Sequence, residues 1–233
     1  MEQKGKFSFK ENIMLHRLNY YLALTLCLAI VPLANATDTS SSAYEVVQSA
    51  SDRVMTIVEG AAGYADEEPE RYYQELLTVL DEVVDFGGFA RGVMGPYASK
   101  SYYQSLSSEG KSALREQVSR FTGEIRVGLV RTYGKGLLVF GGSRVEVQRP
   151  TDEAQESNKS SIIQLIYGDT TEPYVIHYQM RRGKDGSWKL RNLIVESINL
   201  GQVYRNQFQA AVRDNGGDLD AVIDNWTVED LEG

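Results

Sequence analysis

Apolar positions recur every three to four residues in the first half of the chain, and every two in parts of the second. From Ala43 to Val58 they fall at Tyr44, Val47, Ala50, Val54 and Ile57, the period of an amphipathic helix. Gly60 and Gly63 close that segment. Pro69 suits the first turn of a second helix, where Tyr72, Tyr73, Leu76, Leu77, Leu80, Val83 and Val84 make a broad apolar face. A long helix is predicted from about Ser108 to Tyr133, with a stripe at Leu114, Val118, Phe121, Ile125, Leu129 and Tyr133. Between these helices, Asp85 to Gly95 alternates four glycines with aromatic and aliphatic groups, which reads as close backbone packing or the wall of a pocket. Gly134, Gly136, Gly141 and Gly142 mark the switch to extended structure.

Four strands are predicted next: Arg144 to Gln148, Ser160 to Tyr167, Tyr174 to Arg182 and Ser187 to Glu196. Thr151 to Lys159 is a polar connection, and Gly168-Asp169 and Gly183-Lys184-Asp185-Gly186 suit hairpin turns. In the third strand Tyr174, Ile176, Tyr178 and Met180 alternate with Val175, His177, Gln179 and Arg181, so one face is apolar and the other mostly wet. Asn199 with Gln202 has capping-box spacing before a helix lined by Leu200, Val203, Tyr204, Phe208, Ala211 and Val212. Asn215-Gly216-Gly217 stops it, and Asp218 caps a last segment containing Leu219, Val222, Ile223 and Trp226. The expected fold is α+β: a helical layer packed on one face of a four-stranded antiparallel sheet, in a single domain over residues 44–228.

Residues 1–36 have the layout of a secretory signal, with 37–43 as a flexible polar lead. Lys4, Lys6, Lys10 and Arg17 precede an apolar run from Leu18 to Leu33, and Ala34-Asn35-Ala36 supplies the small-x-small cleavage site after Ala36. Cleavage removes four of the 24 basic and two of the 32 acidic residues, leaving 197 residues with a formal charge of −10. It also removes Cys27, the only cysteine, so an ordinary core must carry the stability. An acidic chain without basic clusters is a poor partner for nucleic acid.

Catalytic groups are scarce. The exported chain has one histidine, His177, on the face read as wet, and lacks ligands for a metal site of the usual His/Cys type. Gly87-Gly88 and Gly92 do not follow a predicted strand, so a phosphate-cradling loop is not indicated. Aromatic content is the notable feature: twelve of fourteen tyrosines and five of seven phenylalanines lie outside the signal.

The block Gly186-Ser187-Trp188-Lys189-Leu190-Arg191-Asn192-Leu193-Ile194-Val195-Glu196-Ser197-Ile198-Asn199-Leu200, followed by Tyr204-Arg205-Asn206-Gln207-Phe208, resembles the MlaC, or toluene-tolerance (Ttg2), family. Members carry a similar Trp-strand-Glu-Gly-(Ile/Val)-Ser-Leu block and then a Tyr-Arg-x-x-Phe helix. This chain has Asn192, Ser197 and Asn199 where many members have Asp, Gly and Ser. The resemblance covers roughly Tyr44 to Trp226.

It implies a periplasmic phospholipid carrier with no cofactor and no covalent chemistry, holding acyl chains in an apolar cavity between sheet and helices. The implied partners are phospholipid, an outer-membrane lipoprotein–porin complex, and an inner-membrane ABC-type complex with an MCE-domain component. The implied task is maintenance of outer-membrane lipid asymmetry, by a monomer. The expected lining is Phe86, Phe89, Val93, Met94, Val130, Tyr133, Leu165, Tyr174, Ile176, Tyr178, Leu190, Ile194, Val203, Tyr204 and Phe208. Two alternatives use the same pocket. One is a small isomerase or hydrolase relying on Asp85 or Glu196; the other is a chaperone that holds a peptide.

Overall fold

The computed structural model describes residues 41–150, 158–168 and 171–228. The predicted signal (1–36), most of the lead and most of the Thr151–Lys159 connection lie outside the described residues.

Helix α1 runs Ala43–Ala61. Ser42 and Glu45 start it with a reciprocal box: the Glu45 amide donates to Ser42 Oγ at 3.2 Å, and the Ser42 amide donates to Glu45 Oε2 at 2.8 Å. Such a cap contributes about 1 kcal/mol. Helix α2, Pro69–Val83, begins on the predicted proline.

The glycine-rich stretch is a helix, α3, Phe86–Met94. Glycine propensity is overridden by two things. Asp85 caps the first turn, accepting from the Gly88 amide at 2.6 Å, and Phe86, Phe89, Ala90, Val93 and Met94 are buried. Gly88 has a steric reason as well, because a Cβ there would meet the Arg191 guanidinium at 2.1 Å. Gly95, at φ 58°, ends the helix.

A short helix α4, Lys100–Ser105, leads into α5, Ser108–Leu137. α5 passes through Gly134, where the glycines predict the switch to extended structure. At that position Tyr73 and Leu76 come within 3.2 Å of where a Cβ would sit, and the Tyr72 hydroxyl donates to Gly134 O at 2.9 Å. Gly134 marks a close helix crossing and breaks nothing.

The sheet is an antiparallel meander in the order β1-β2-β3-β4-β5. Its strands are β1 Arg144–Gln148, β2 Lys159–Tyr167, β3 Tyr174–Arg182, β4 Trp188–Val195 and β5 Ile198–Asn199. The two-residue β5 was not anticipated. Helix α6, Leu200–Asp214, follows directly, and α7, Leu219–Asp224, comes after a turn. Asn199 caps α6 by accepting from the Gln202 amide at 3.1 Å. Gln202 Nε2 donates to Asn206 Oδ1, one turn further along the helix. Asn192 reinforces this start: its Oδ1 accepts from the Gly201 amide and its Nδ2 donates to Asn199 Oδ1, both at 2.9 Å.

Buried side chains form three clusters. One joins α3, α5, α6 and α7 around Phe121, Tyr204 and Phe208, with Phe121 and Phe208 ring centroids 4.8 Å apart. A second joins α1, α2 and the end of α5 around Tyr72, Leu76 and Val130. The third packs Ala43 and Val47 of α1 on Val147, Ile162, Met180 and Trp188 of the sheet.

Candidate functional site

The pairing register decides which sheet residues face the helices. Gln164 pairs with Val147 and Ile176, Ile162 with Tyr178, and Ile166 with Val145 and Tyr174. Since Val147 and Ile162 lie in the third buried cluster, these side chains form the inner face. Between Met180 and Gln179 the β4 register slips: Met180 pairs with Leu190 and Gln179 with Asn192, leaving Arg191 as an extra residue. A bulge of this kind reverses the alternation beyond it. Trp188 and Leu190 point inward before the bulge, and Leu193 and Val195 after it.

Two predicted lining residues therefore stand on the other face. Ile194 pairs with His177, and Leu165 pairs with Val175. Unbroken alternation from Leu190 would turn Ile194 inward, and the bulge interrupts it. Ser161, Ile163, Leu165 and Tyr167 alternate opposite to Ile162, Gln164 and Ile166, and the even-numbered set is the buried one. The signal that would have found Leu193 and Val195 is the charged, polar pair Arg191-Asn192 interrupting an apolar strand.

The remaining predicted residues divide by burial. Phe86, Phe89, Val93, Met94, Tyr204 and Phe208 are all at most 8 % exposed and belong to the helical cluster, where they pack on one another. Val130 is buried in the second cluster. Tyr133 and Val203 are half-buried. Tyr133 Oη lies 2.5 Å from Tyr204 Oη, tying α5 to α6.

Tyr174, Ile176, Tyr178 and Leu190 share the inner face, and their exposure is informative. β3 is the middle strand of five, so its inward side chains should be the best buried if the helices closed over the sheet. Ile162 and Ile166 on β2 are 1 % and 6 % exposed. Ile176 and Tyr178 on β3, and Leu193 and Val195 on β4, are only half-buried, and Tyr174 is 38 % exposed. Leu193 still touches the helical cluster, and Tyr178 and Leu190 the third one, so cover over β3 and β4 is partial and leaves an apolar cleft that opens toward Tyr174. Phe140, in the 3-10 turn after α5, packs edge-on to Tyr174 at 5.4 Å and forms part of that mouth. Val139 beside it is 80 % exposed, and Ile198, paired with Val195, is 43 % exposed.

Polar chemistry in the cleft is sparse. Gln164, 4 % exposed, accepts from the Tyr178 hydroxyl and donates to Ser51 Oγ at 2.5 Å. Burial pushes the Tyr178 phenol pKa far above its ordinary value, so the hydroxyl stays a neutral donor. The two carboxylates considered for catalysis are otherwise engaged. Asp85 caps α3 and pairs with Arg191. Glu196, at φ 55°, is exposed and accepts from the Val175 amide at 2.6 Å. His177 is half-buried on the outer face between Ile163 and Ile194. Among the described residues no three His, Cys, Asp or Glu side chains cluster as a metal site, and no helix is long and apolar enough to cross a membrane. A hollow of about 200 Å³ between α6 and α7, lined by Gln207, Asn215, Asn225 and Trp226, is smaller than usual ligand sites.

Residues 48–228 match the family model described as MlaC protein. The toluene tolerance protein Ttg2D of Pseudomonas putida is 28 % identical over 206 residues, which is 88 % of either chain. A solved phospholipid-binding protein from Ralstonia solanacearum, in complex with a phospholipid, has the same fold. It aligns with a TM-score of 0.61 at 18 % identity, covering 79 % of this chain and 94 % of that one.

Proposed function

The chain belongs to the MlaC family, and from that premise we propose that it is a phospholipid carrier of the periplasm. The observation that carries this reading is the half-open inner face of β3 and β4, an apolar surface at the middle of the sheet that the helices cover only in part. The relative from Ralstonia solanacearum, described as phospholipid-binding and solved with a phospholipid, supports the choice of ligand.

Acyl chains occupy the cleft with Ile176, Tyr178, Leu190, Leu193 and Val195 on the sheet side and Tyr133 and Val203 on the helical side. The head group remains at the Tyr174 and Phe140 mouth. Each methylene moved out of water contributes about 0.8 kcal/mol, so a lipid of ~30 methylenes faces a barrier on the order of 20 kcal/mol without a carrier. A protein cleft replaces one apolar phase with another, which makes transfer nearly neutral.

In this account the exported chain, cleaved after Ala36, exchanges lipid with two complexes. One is an outer-membrane lipoprotein–porin complex; the other is an inner-membrane ABC-type complex with an MCE-domain component. The exchange maintains outer-membrane lipid asymmetry. The formal charge of −10 disfavours direct adsorption on anionic bilayers, so unloading relies on docking.

Solvent extraction of the purified protein followed by mass spectrometry tests the reading. Phospholipid is expected at close to one molecule per chain. Protein that carries none, and takes none from vesicles, overturns it.

A further inference from the structure

Along the inner face of β3 exposure falls in steps. Tyr174 is 38 % exposed, Ile176 and Tyr178 are half-buried, and Met180 is 3 % exposed. Past that point the interface is shut, with Ala43 and Val47 packed on Ile162, Met180 and Trp188.

Where open gives way to closed, three polar side chains cross the interface in line. Tyr178 on β3 donates to Gln164 Oε1 on β2, and Gln164 Nε2 donates to Ser51 Oγ on α1. Aromatic side chains aside, Gln164 is the one buried polar side chain among the described residues. Its row neighbours Val147 and Ile176 are apolar, so packing alone would favour an aliphatic group there. A buried amide costs free energy unless its partners are fixed, and here they fix the spacing of α1 from the sheet.

We infer that the Ser51–Gln164–Tyr178 crossbar is a stop that limits how deeply an acyl chain enters, and so selects lipids by chain length. The inference rests on the carrier reading. A chain end reaching the crossbar must break hydrogen bonds already made and leave an amide buried without partners. A chain too long for the space below the mouth leaves methylenes in water instead, and each weakens binding roughly fourfold.

The test loads purified protein from vesicles holding a graded series of monounsaturated phosphatidylcholines, from myristoleoyl to erucoyl, and reads bound lipid by native mass spectrometry. The unaltered protein is expected to favour the shorter chains. Gln164→Leu combined with Tyr178→Phe removes the crossbar while keeping volume, and the ratio of longest to shortest bound lipid should rise by about tenfold. A folded double variant with the original distribution overturns the stop, as does an unaltered protein that binds all lengths equally. If the double variant does not fold, Ser51→Ala is read the same way. It removes only the far end, an increase of about threefold is expected, and an unchanged distribution is again fatal. A protein that loads no member of the series overturns the carrier reading itself, which separates the two failures.

Discussion

The helical cluster and the sheet's inner face are built from the same kinds of side chain, yet they end differently. Around Phe121 and Phe208 rings interlock, with Trp226 5.2 Å and 5.7 Å from them, and Tyr204, Val93 and Met94 have no exposed surface. Across β3 and β4 comparable aliphatic groups stay half-open. Apolar content alone therefore does not distinguish core from cleft. What separates them is whether a helix lies over each position. α3, α5, α6 and α7 close on one another, whereas α1 covers the sheet near β1, β2 and the Trp188 end and the helical cluster reaches it at Leu193.

That contrast breaks most sharply in the closed region. Phe208→Ala removes a ring from a filled site and should cost about 3–5 kcal/mol in urea unfolding of lipid-free protein. An effect below about 1 kcal/mol would mean that this cluster, too, is open. Next comes the joint between the regions. Asp85→Ala removes the cap of α3 and strands Arg191. The pair is one-third exposed, so solvent screening reduces its share and the expected loss is about 1–2 kcal/mol.

On the open face the same truncation should act on binding more than on folding. Ile176→Ala is expected to cost about 1–2 kcal/mol, less than a truncation in the closed cluster because part of its surface already meets solvent, while lipid uptake from vesicles falls several-fold. A large loss of stability with unchanged uptake would reverse the assignment of the two regions.

The smallest effect is electrostatic. Hydrogen bonds from Gln117 and Arg120 hold the Asp220 carboxyl below its ordinary 3.8. A depressed carboxyl contributes stability above its unfolded value and loses it as pH falls through the folded one. Asp220→Asn should therefore be slightly less stable than the parent near neutrality, and the difference should vanish on acidification below 3.8. A gap that widens in acid would contradict the sign.

Much of the fold was legible from periodicity and caps. Tyr174–Arg182, with its apolar and wet faces, needed only alternation, and Pro69, Asn199 and Asp218 stand at the helix starts their chemistry favours, whereas Ser42, expected in the flexible lead, is a cap. What escaped were places where tertiary contact outweighs a local rule. The glycines of α3 suggest close packing or a pocket wall, and only the Asp85 cap and the nearby Arg191 show that they form a helix. Gly134 looked like a helix end until Tyr72 closed on it from another helix. Ile194 needed knowledge of one extra residue at Arg191, which no period reveals. The candidate site suffered most, since core and cleft share a composition and differ only in what covers them.

Adjacent residues Leu193 and Ile194 face opposite sides of the sheet, and this offers the most direct test. A benzophenone side chain is placed at either position, the protein is loaded with phospholipid and irradiated, and covalent lipid adducts are counted by mass spectrometry. The account predicts adducts from position 193 and essentially none from 194. Equal labelling, or labelling from 194 alone, would contradict the claim that the inner face of β3 and β4 holds the acyl chains.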